Sequence, residues 1–438
     1  MSAPVQIFVA FASVAVLLGL MAAVKRLAQT RNISPEVQRK LVHIGTGLYA
    51  LTLPWLFTDD WPVYMLVGLT LIVMAVLRMP VFAKGGIGET LHGVERQSYG
   101  DLLLALAVGT VFLLSEGNAI LYILPIATLT LADAAAALTG SRYGRKFFQV
   151  EDGQKSIEGS TVFFVITLMI SMVCLLLLSD VSRPNVILLS VLVAAFGTLV
   201  EADSWRGFDN FFLPTGLMIF LDSNMNSPWQ DLVLIMGLFL VVLVVFLNAA
   251  PQLGITKHAA RVYTIAAFLL ITVTASQNTV LPLLVFFVHA IAHRMTPCKA
   301  AYPALDIVAA VALSSFGWLA IGLVTQMNAL MFYGLMAAGL CVGLTAVAMG
   351  QISIWVRTLA TVAVGAGLFG LYSALMRYNP ASVLWPGDMK LIGAIAIGMM
   401  AIIGTLRPAM FESRRAAKLT LLALIVPAVG YGIEVIGA

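Results

Sequence analysis

Residues 132–160, ADAAAALTGSRYGRKFFQVEDGQKSIEGS, carry the side chains of this chain best suited to chemistry. Asp133 lies within an apolar run near a helix end, where a carboxylate is costly and marks a functional site by default. Gly140 and Gly144 follow, residues that let backbone N–H groups approach a ligand closely, together with the cations Arg142, Arg145 and Lys146. Lys155-Ser156-Ile157-Glu158-Gly159-Ser160 then leads into the next apolar run. Ser156 or Ser160 falls near that helix's N-terminus, where unpaired N–H groups and the dipole favour an anion. Acid, glycines, cations and a helix start form a cradle suited to a polyphosphate with its metal. The plainer reading of the same residues is a positively charged loop with a helix cap.

Two further clusters have chemical potential. Glu201-Ala202-Asp203-Ser204-Trp205-Arg206-Gly207-Phe208-Asp209-Asn210 supplies oxygen ligands. These suit Mg²⁺, which usually takes one or two carboxylates plus substrate phosphates. Arg39-Lys40-Leu41-Val42-His43-Ile44-Gly45 places His43 one turn from two cations. A lone histidine is more often a packing residue; beside these cations it is also fit to bind phosphate or assist proton transfer. There is no G-x-x-x-x-G-K-[ST] loop in the chain, and Gly85-Gly86-Ile87-Gly88 reads equally well as a turn.

The elements that hold these residues are membrane helices. The chain has 438 residues, of which 61% are hydrophobic and 11% charged, with mean hydropathy +0.98. That composition excludes a soluble domain of this length, and the alternation of a transmembrane β-barrel is absent. The expected fold is all-α: a polytopic integral membrane bundle of roughly 14–16 transmembrane helices. With the N-terminus outside, all but Arg183, Arg377 and Lys390 of the 25 Lys and Arg fall on the cytoplasmic side, which sets the orientation. The first helix, about 6–24, reads as retained rather than as a signal peptide. The three cysteines lie far apart and form no framework or metal cluster. Net charge is only +4, and no nucleic-acid partner is expected.

Long, chemically rich loops stop near residue 250, and Pro251-Gln252-Leu253-Gly254 marks a boundary. Residues 1–250 are read as the catalytic membrane domain. Residues 251–438 are read as an additional helical domain for packing, homodimer formation or lipid access, contributing no catalytic residue. Asp306, His289, His293, Arg294 and Glu434 are expected to be structural there, and Gly334–Gly339 and Gly365–Gly367 to serve close helix packing.

In this order the three clusters resemble the motifs of the polyprenol kinase family, which includes phytol and dolichol kinases and is related to CTP-using phosphatidate cytidylyltransferases. Arg39 to Gly47 resembles its R-K-x-x-H-x-x-x-G stretch. Asp133 to Ser160 resembles D-x-x-A-x-x-x-G-x-x-x-G followed by K-S-x-E-G-S, and Glu201 with Asp209-Asn210 and Pro214 resembles E-x(7)-D-N-x-x-x-P. Gln97-Ser98-Tyr99-Gly100-Asp101 resembles a family stretch before a helix. The resemblance covers roughly residues 35–225. It implies phosphoryl transfer from CTP, ahead of ATP, with Mg²⁺, to the hydroxyl of a long-chain isoprenoid alcohol at the cytoplasmic face of a prokaryotic plasma membrane. Asp133, with Asp209 or Asn210, would hold Mg²⁺. Lys155, Arg142, Arg145 and Lys146 would neutralise phosphate. Gly140, Gly144, Ser156, Glu158, Gly159 and Ser160 would shape the nucleotide loop. Glu201 or Asp133 would act as base, and His43 with Arg39 and Lys40 would assist. A cytidylyltransferase acting on a lipid phosphate is the alternative enzyme. A lipid transporter or scramblase is the alternative of another class, though the inverted repeats and broken helices it would need are not evident.

Overall fold

The structure, a computed structural model, describes residues 1–78, 99–151, 153–385 and 387–437. Each apolar run of the sequence is a helix, because in a lipid setting a segment must pair its own backbone groups. The first compact unit, Met1–Gly237, holds α1 (Ala3–Arg31), α2 (Pro35–Leu51), α3 (Trp61–Leu77), α4 (Gly100–Leu114), α5 (Ala119–Ala127) and α6 (Asp133–Tyr143). A hairpin of β1 (Phe147–Val150) and β2 (Gly153–Ser156) follows, then α7 (Ile157–Leu178), α8 (Arg183–Ala202) and α9 (Asp209–Asn224). The hairpin is antiparallel, with Phe147 opposite Ser156 and Phe148 opposite Lys155.

Eleven of the described helices are long and apolar enough to cross a membrane, counting Ala119–Tyr143 as one. By contrast α2, α3, α4 and α9 have 17, 17, 15 and 16 residues. At 1.5 Å per residue they reach only about 23–26 Å, short of a hydrocarbon core of about 30 Å. The helices too short to span are thus the ones that carry much of the first unit's polar chemistry.

The second unit, Leu238–Ala438, holds the end of α10 (Trp229–Leu253), then α11 (Lys257–Val273), α12 (Ser276–Met295), α13 (Pro303–Thr325), α14 (Leu330–Ala348), α15 (Ile354–Met376), α16 (Met389–Leu406) and α17 (Arg415–Gly437). The division falls inside α10, earlier than the expected break at Pro251, which the helix carries through to Leu253. α14 is the buried centre of this unit. Its small residues let neighbours close in: a Cβ at Gly334 would meet the Tyr372 ring at 3.0 Å, and one at Gly339 would meet Met400 at 3.3 Å. Trp318, Phe332, Trp385 and Tyr431 stack edge-on and face-on to fill the core. The Gly85–Gly88 turn, together with Gln97 and Ser98, lies outside the described residues.

Candidate active site

The first unit gathers the polar clusters of the sequence at one place. Asp133 opens α6, directly after a π-helical segment, Thr128–Ala132. Such bulges displace backbone carbonyls from the regular ladder and are frequent at functional sites. Here the Leu129 carbonyl accepts from His43 Nε2 at 3.1 Å, so in neutral His43 the proton sits on Nε2. α2 can approach this segment because Gly47 faces Thr130 so closely that any Cβ would collide with the threonine side chain. Lys40 and His43, one turn apart on the same helix, therefore share the face that meets Asp133.

Lys40 Nζ donates to both carboxylate oxygens of Asp133, at 2.8 and 2.7 Å, with each side chain only 6% exposed. His43 Nε2 stands 3.4 Å from Oδ2. A buried carboxylate held in this way is a charged group whose desolvation is compensated by one specific cation. In this arrangement both oxygens of Asp133 accept from the Lys40 ammonium.

The second pair lies across the hairpin. Lys155 on β2 reaches Glu201 near the end of α8, donating to Oε1 at 2.5 Å and to the Glu201 carbonyl at 3.1 Å. Glu201 is buried, whereas the Lys155 side chain keeps 30% exposure. Burial alone would depress the Lys155 pKa; the nearby carboxylates of Glu201 and Asp209 outweigh it and raise the pKa above the ordinary lysine value, so the group is a permanent cation at neutral pH. Asp209 also stands within electrostatic reach of Arg39 and Glu201. The turn that brings it there reverses the chain through left-handed Arg206 (φ 51°) and Gly207 (φ 82°), and the Arg206 carbonyl accepts from Tyr99 N at 3.0 Å, tying the start of α4 to the same turn.

Arg39, Lys40, His43, Asp133, Lys155, Glu201 and Asp209 thus converge from α2, α6, β2, α8 and α9. Arg142, Arg145 and Lys146 do not join them: they are exposed at the end of α6 and before β1, and Arg142 stacks on its neighbour Tyr143. Much of the rest of the loop has a local structural task. Ser156 caps α7 by accepting from Gly159 N at 3.0 Å. Glu158 accepts from the backbone N of Lys146 at 3.2 and 3.3 Å, pinning the hairpin to the helix start. A Cβ on Gly140 would meet Ser156 Oγ at 2.7 Å. One on Gly159 would meet Ser156 Oγ at 2.9 Å and the Ala136 carbonyl at 3.0 Å. Gly144 is equally tight, against the Gly140 carbonyl and the Ser156 side chain. These glycines have a packing reason to be glycine. Gly159→Ala is therefore expected to destabilise the protein by about 1–3 kcal/mol, read as a lower melting temperature in detergent. An unchanged melting temperature with lost activity would instead mean that Gly159 meets a ligand.

Beside the charged cluster an apolar cavity opens between α1, α2, α3 and α4, with Asn210 of α9 on its wall. Arg39, Val42, His43, Thr46, Tyr49 and Ala50 form its α2 side, a single helical stripe of about 16 Å from Arg39 to Ala50. Its charged and titratable groups are Arg39 and His43, at the start of the α2 stripe, and Asp101 from the start of α4, with Asn210 also on the wall. Thr46, Tyr49 and Thr70 add hydroxyls among apolar residues such as Leu53, Leu66 and Val108. Asp101 pairs with Arg78 at the end of α3. Sequence reasoning placed it only within a motif and gave it no role; its signal was an acid one position into an apolar helix.

Among the described residues no group of three or more His, Cys, Asp or Glu side chains forms a ready-made metal site. Asp209 stands half-buried among the cations.

No family model matches the chain, and no solved structure matches it. Over 223 residues, 49% of this chain and 91% of the relative, it is 34% identical to the phytol kinase of the cyanobacterium Synechocystis sp.. Identity at that level over nine-tenths of the relative, with the paired Lys40–Asp133 and Lys155–Glu201 groups standing beside an apolar cavity, has one consequence: the chain belongs to the phytol kinase family.

Proposed function

We propose that this protein transfers the terminal phosphoryl group of a nucleoside triphosphate, CTP ahead of ATP, to the hydroxyl of a long-chain isoprenoid alcohol at the cytoplasmic face of the membrane. The observation that carries this reading is the junction of two unlike environments. Arg39 and His43 belong both to the charged cluster and to the wall of an apolar cavity. A polyisoprenoid tail fits apolar helix faces, and its single hydroxyl would then lie where the cations can receive phosphate. The similarity to a phytol kinase supports the acceptor class.

Phosphoryl transfer asks the protein chiefly for positioning and charge neutralisation. Lys155, held charged by Glu201 and Asp209, and Arg39 are the cations placed for phosphate oxygens. Lys40 and His43 set the position of Asp133, and the three together give the site a rigid, preorganised floor. Asp209 would hold a Mg²⁺ that arrives with the nucleotide, and the ion would neutralise charge on the phosphates.

The test is purified protein with labelled CTP or ATP and a panel of phytol, geranylgeraniol, farnesol, undecaprenol and diacylglycerol, repeated with inside-out and right-side-out vesicles. Labelled isoprenoid phosphate with release of CDP, formed only when nucleotide reaches the cytoplasmic side, is the expected result. The alternative enzyme would show a CMP-linked lipid and pyrophosphate; that product, or turnover only with nucleotide outside, would overturn the reading.

A further inference from the structure

We infer that Asp101 is the group that receives the lipid's hydroxyl. This rests on the reading above for the identity of the ligand as an alcohol; the geometry is independent of it. Asp101 is the only carboxylate among the described residues that line the apolar cavity. Its oxygens are unlike. Oδ1 is taken by Nη2 of Arg78. Oδ2 is buried and has no hydrogen-bond partner among the described residues. A buried acceptor left without a donor is costly, and most such groups in folded proteins are satisfied. Asp101 lines the cavity, so a donor that enters there comes up beside its side chain, and an apolar cavity selects a ligand that brings one O–H and little other polarity.

Of the three acids of the charged cluster, Asp133 and Glu201 are already engaged, and Asp209 does not line the cavity. Both oxygens of Asp133 hold Lys40, and Glu201 holds Lys155. The Tyr99 N–H bonded to the Arg206 carbonyl fixes the start of α4 against the turn that leads to Asp209 and Asn210, so the hydroxyl at Asp101 is presented beside the acid placed for the nucleotide's metal. In the transfer, the alcohol oxygen forms a bond to the γ-phosphorus and its proton passes to Asp101 Oδ2. The bond from the γ-phosphorus to the β–γ bridging oxygen breaks, and the nucleoside diphosphate leaves with that electron pair.

The test compares equilibrium binding of geranylgeraniol and of its methyl ether, which has the same chain and no O–H, alongside turnover. Wild-type protein is expected to prefer the alcohol by about tenfold or more, the effect of one hydrogen bond to a charged group. Asp101→Asn, which keeps an oxygen for Arg78 but offers an amide in place of the second, should reduce that preference to less than about twofold and lower turnover about a hundredfold. Nucleotide affinity should stay unchanged. Arg78→Gln, which breaks the ion pair and spares the carboxylate, should keep the preference, as should Asp101→Glu. Equal binding of alcohol and ether by the wild type would overturn the inference. So would a preference that survives in Asp101→Asn, or one lost as fully in Arg78→Gln. Preference without any phosphorylated lipid would overturn the kinase reading and leave the hydroxyl site standing. Turnover with an Asp101-independent preference would do the reverse.

Discussion

Asp133→Ala is expected to lose phosphoryl transfer by at least about a hundredfold and, at the same time, to lower the melting temperature of the protein. The two effects have different causes. The activity loss, about 2.7 kcal/mol of transition-state stabilisation, is modest for removing a charge from the floor of a preorganised site. The stability loss comes from Lys40, whose ammonium is left buried with no carboxylate against it once both of its 2.7–2.8 Å contacts vanish. Breaking one side of such a buried pair costs about 3–5 kcal/mol. Removing both charges separates the effects. Lys40→Met with Asp133→Leu exchanges the pair for apolar side chains and should recover most of the melting temperature, since replacement of a buried pair by well-packed apolar groups is often neutral. It should not recover turnover. Near-normal turnover in the double variant would reduce Lys40–Asp133 to a purely structural pair. Melting curves and turnover measured on the same three proteins, wild type, Asp133→Ala and the double variant, decide it.

Lys155→Ala is expected to cost at least about a hundredfold in turnover with little change in melting temperature. The contrast with Asp133 follows from exposure. The Lys155 side chain keeps 30% of its surface open, against 6% for Lys40, so water can reach Glu201 once the ammonium is gone, and the penalty of an unpaired buried charge is largely avoided. What is lost is the permanent cation that Glu201 and Asp209 maintain beside the site. Lys155→Arg keeps the charge but changes its shape, and should retain a measurable fraction of turnover. Activity close to wild type in Lys155→Ala would remove the charged cluster as the phosphate site. Arg142, Arg145 and Lys146, which the sequence offered beside Lys155 as phosphate cations, are exposed at the end of α6 and before β1.

Much of this was legible in the sequence. Hydropathy located every helix, since a segment in lipid has few alternatives to pairing its own backbone. The three polar stretches stood out because charge is rare in such a chain, and each contributes to the residues that converge: Arg39, Lys40 and His43 from one, Asp133 and Lys155 from another, Glu201 and Asp209 from the third. Ser156 was readable near a helix start, both as part of a phosphate cradle and as a plain cap; the structure shows it capping α7, and shows Glu158 clasping the hairpin through Lys146 N. Gly140 and Gly144 were assigned to ligand approach on conformational freedom, and Gly159 through the resemblance; whether a missing Cβ admits a ligand or a neighbouring helix depends on what lies opposite, which is a tertiary fact.

The pairings could not be read in advance. Lys40 and Asp133 are 93 residues apart, and Lys155 and Glu201 are 46 apart. Which acid meets which cation is set by the π-helical offset before Asp133, by the close approach at Gly47 and by the hairpin register that aims Lys155. The cavity is of the same kind: α1, α3 and α4 look like ordinary apolar helices, and the space between them and α2, with Asp101 on its wall, arises only from how they pack. The sequence by itself determined the membrane-helix architecture and the location of the chemistry, because burial in lipid and the cost of charge act residue by residue. The tertiary structure alone decided which acids are already engaged and which one retains an open acceptor, because that depends on contacts between segments whose packing no local pattern encodes.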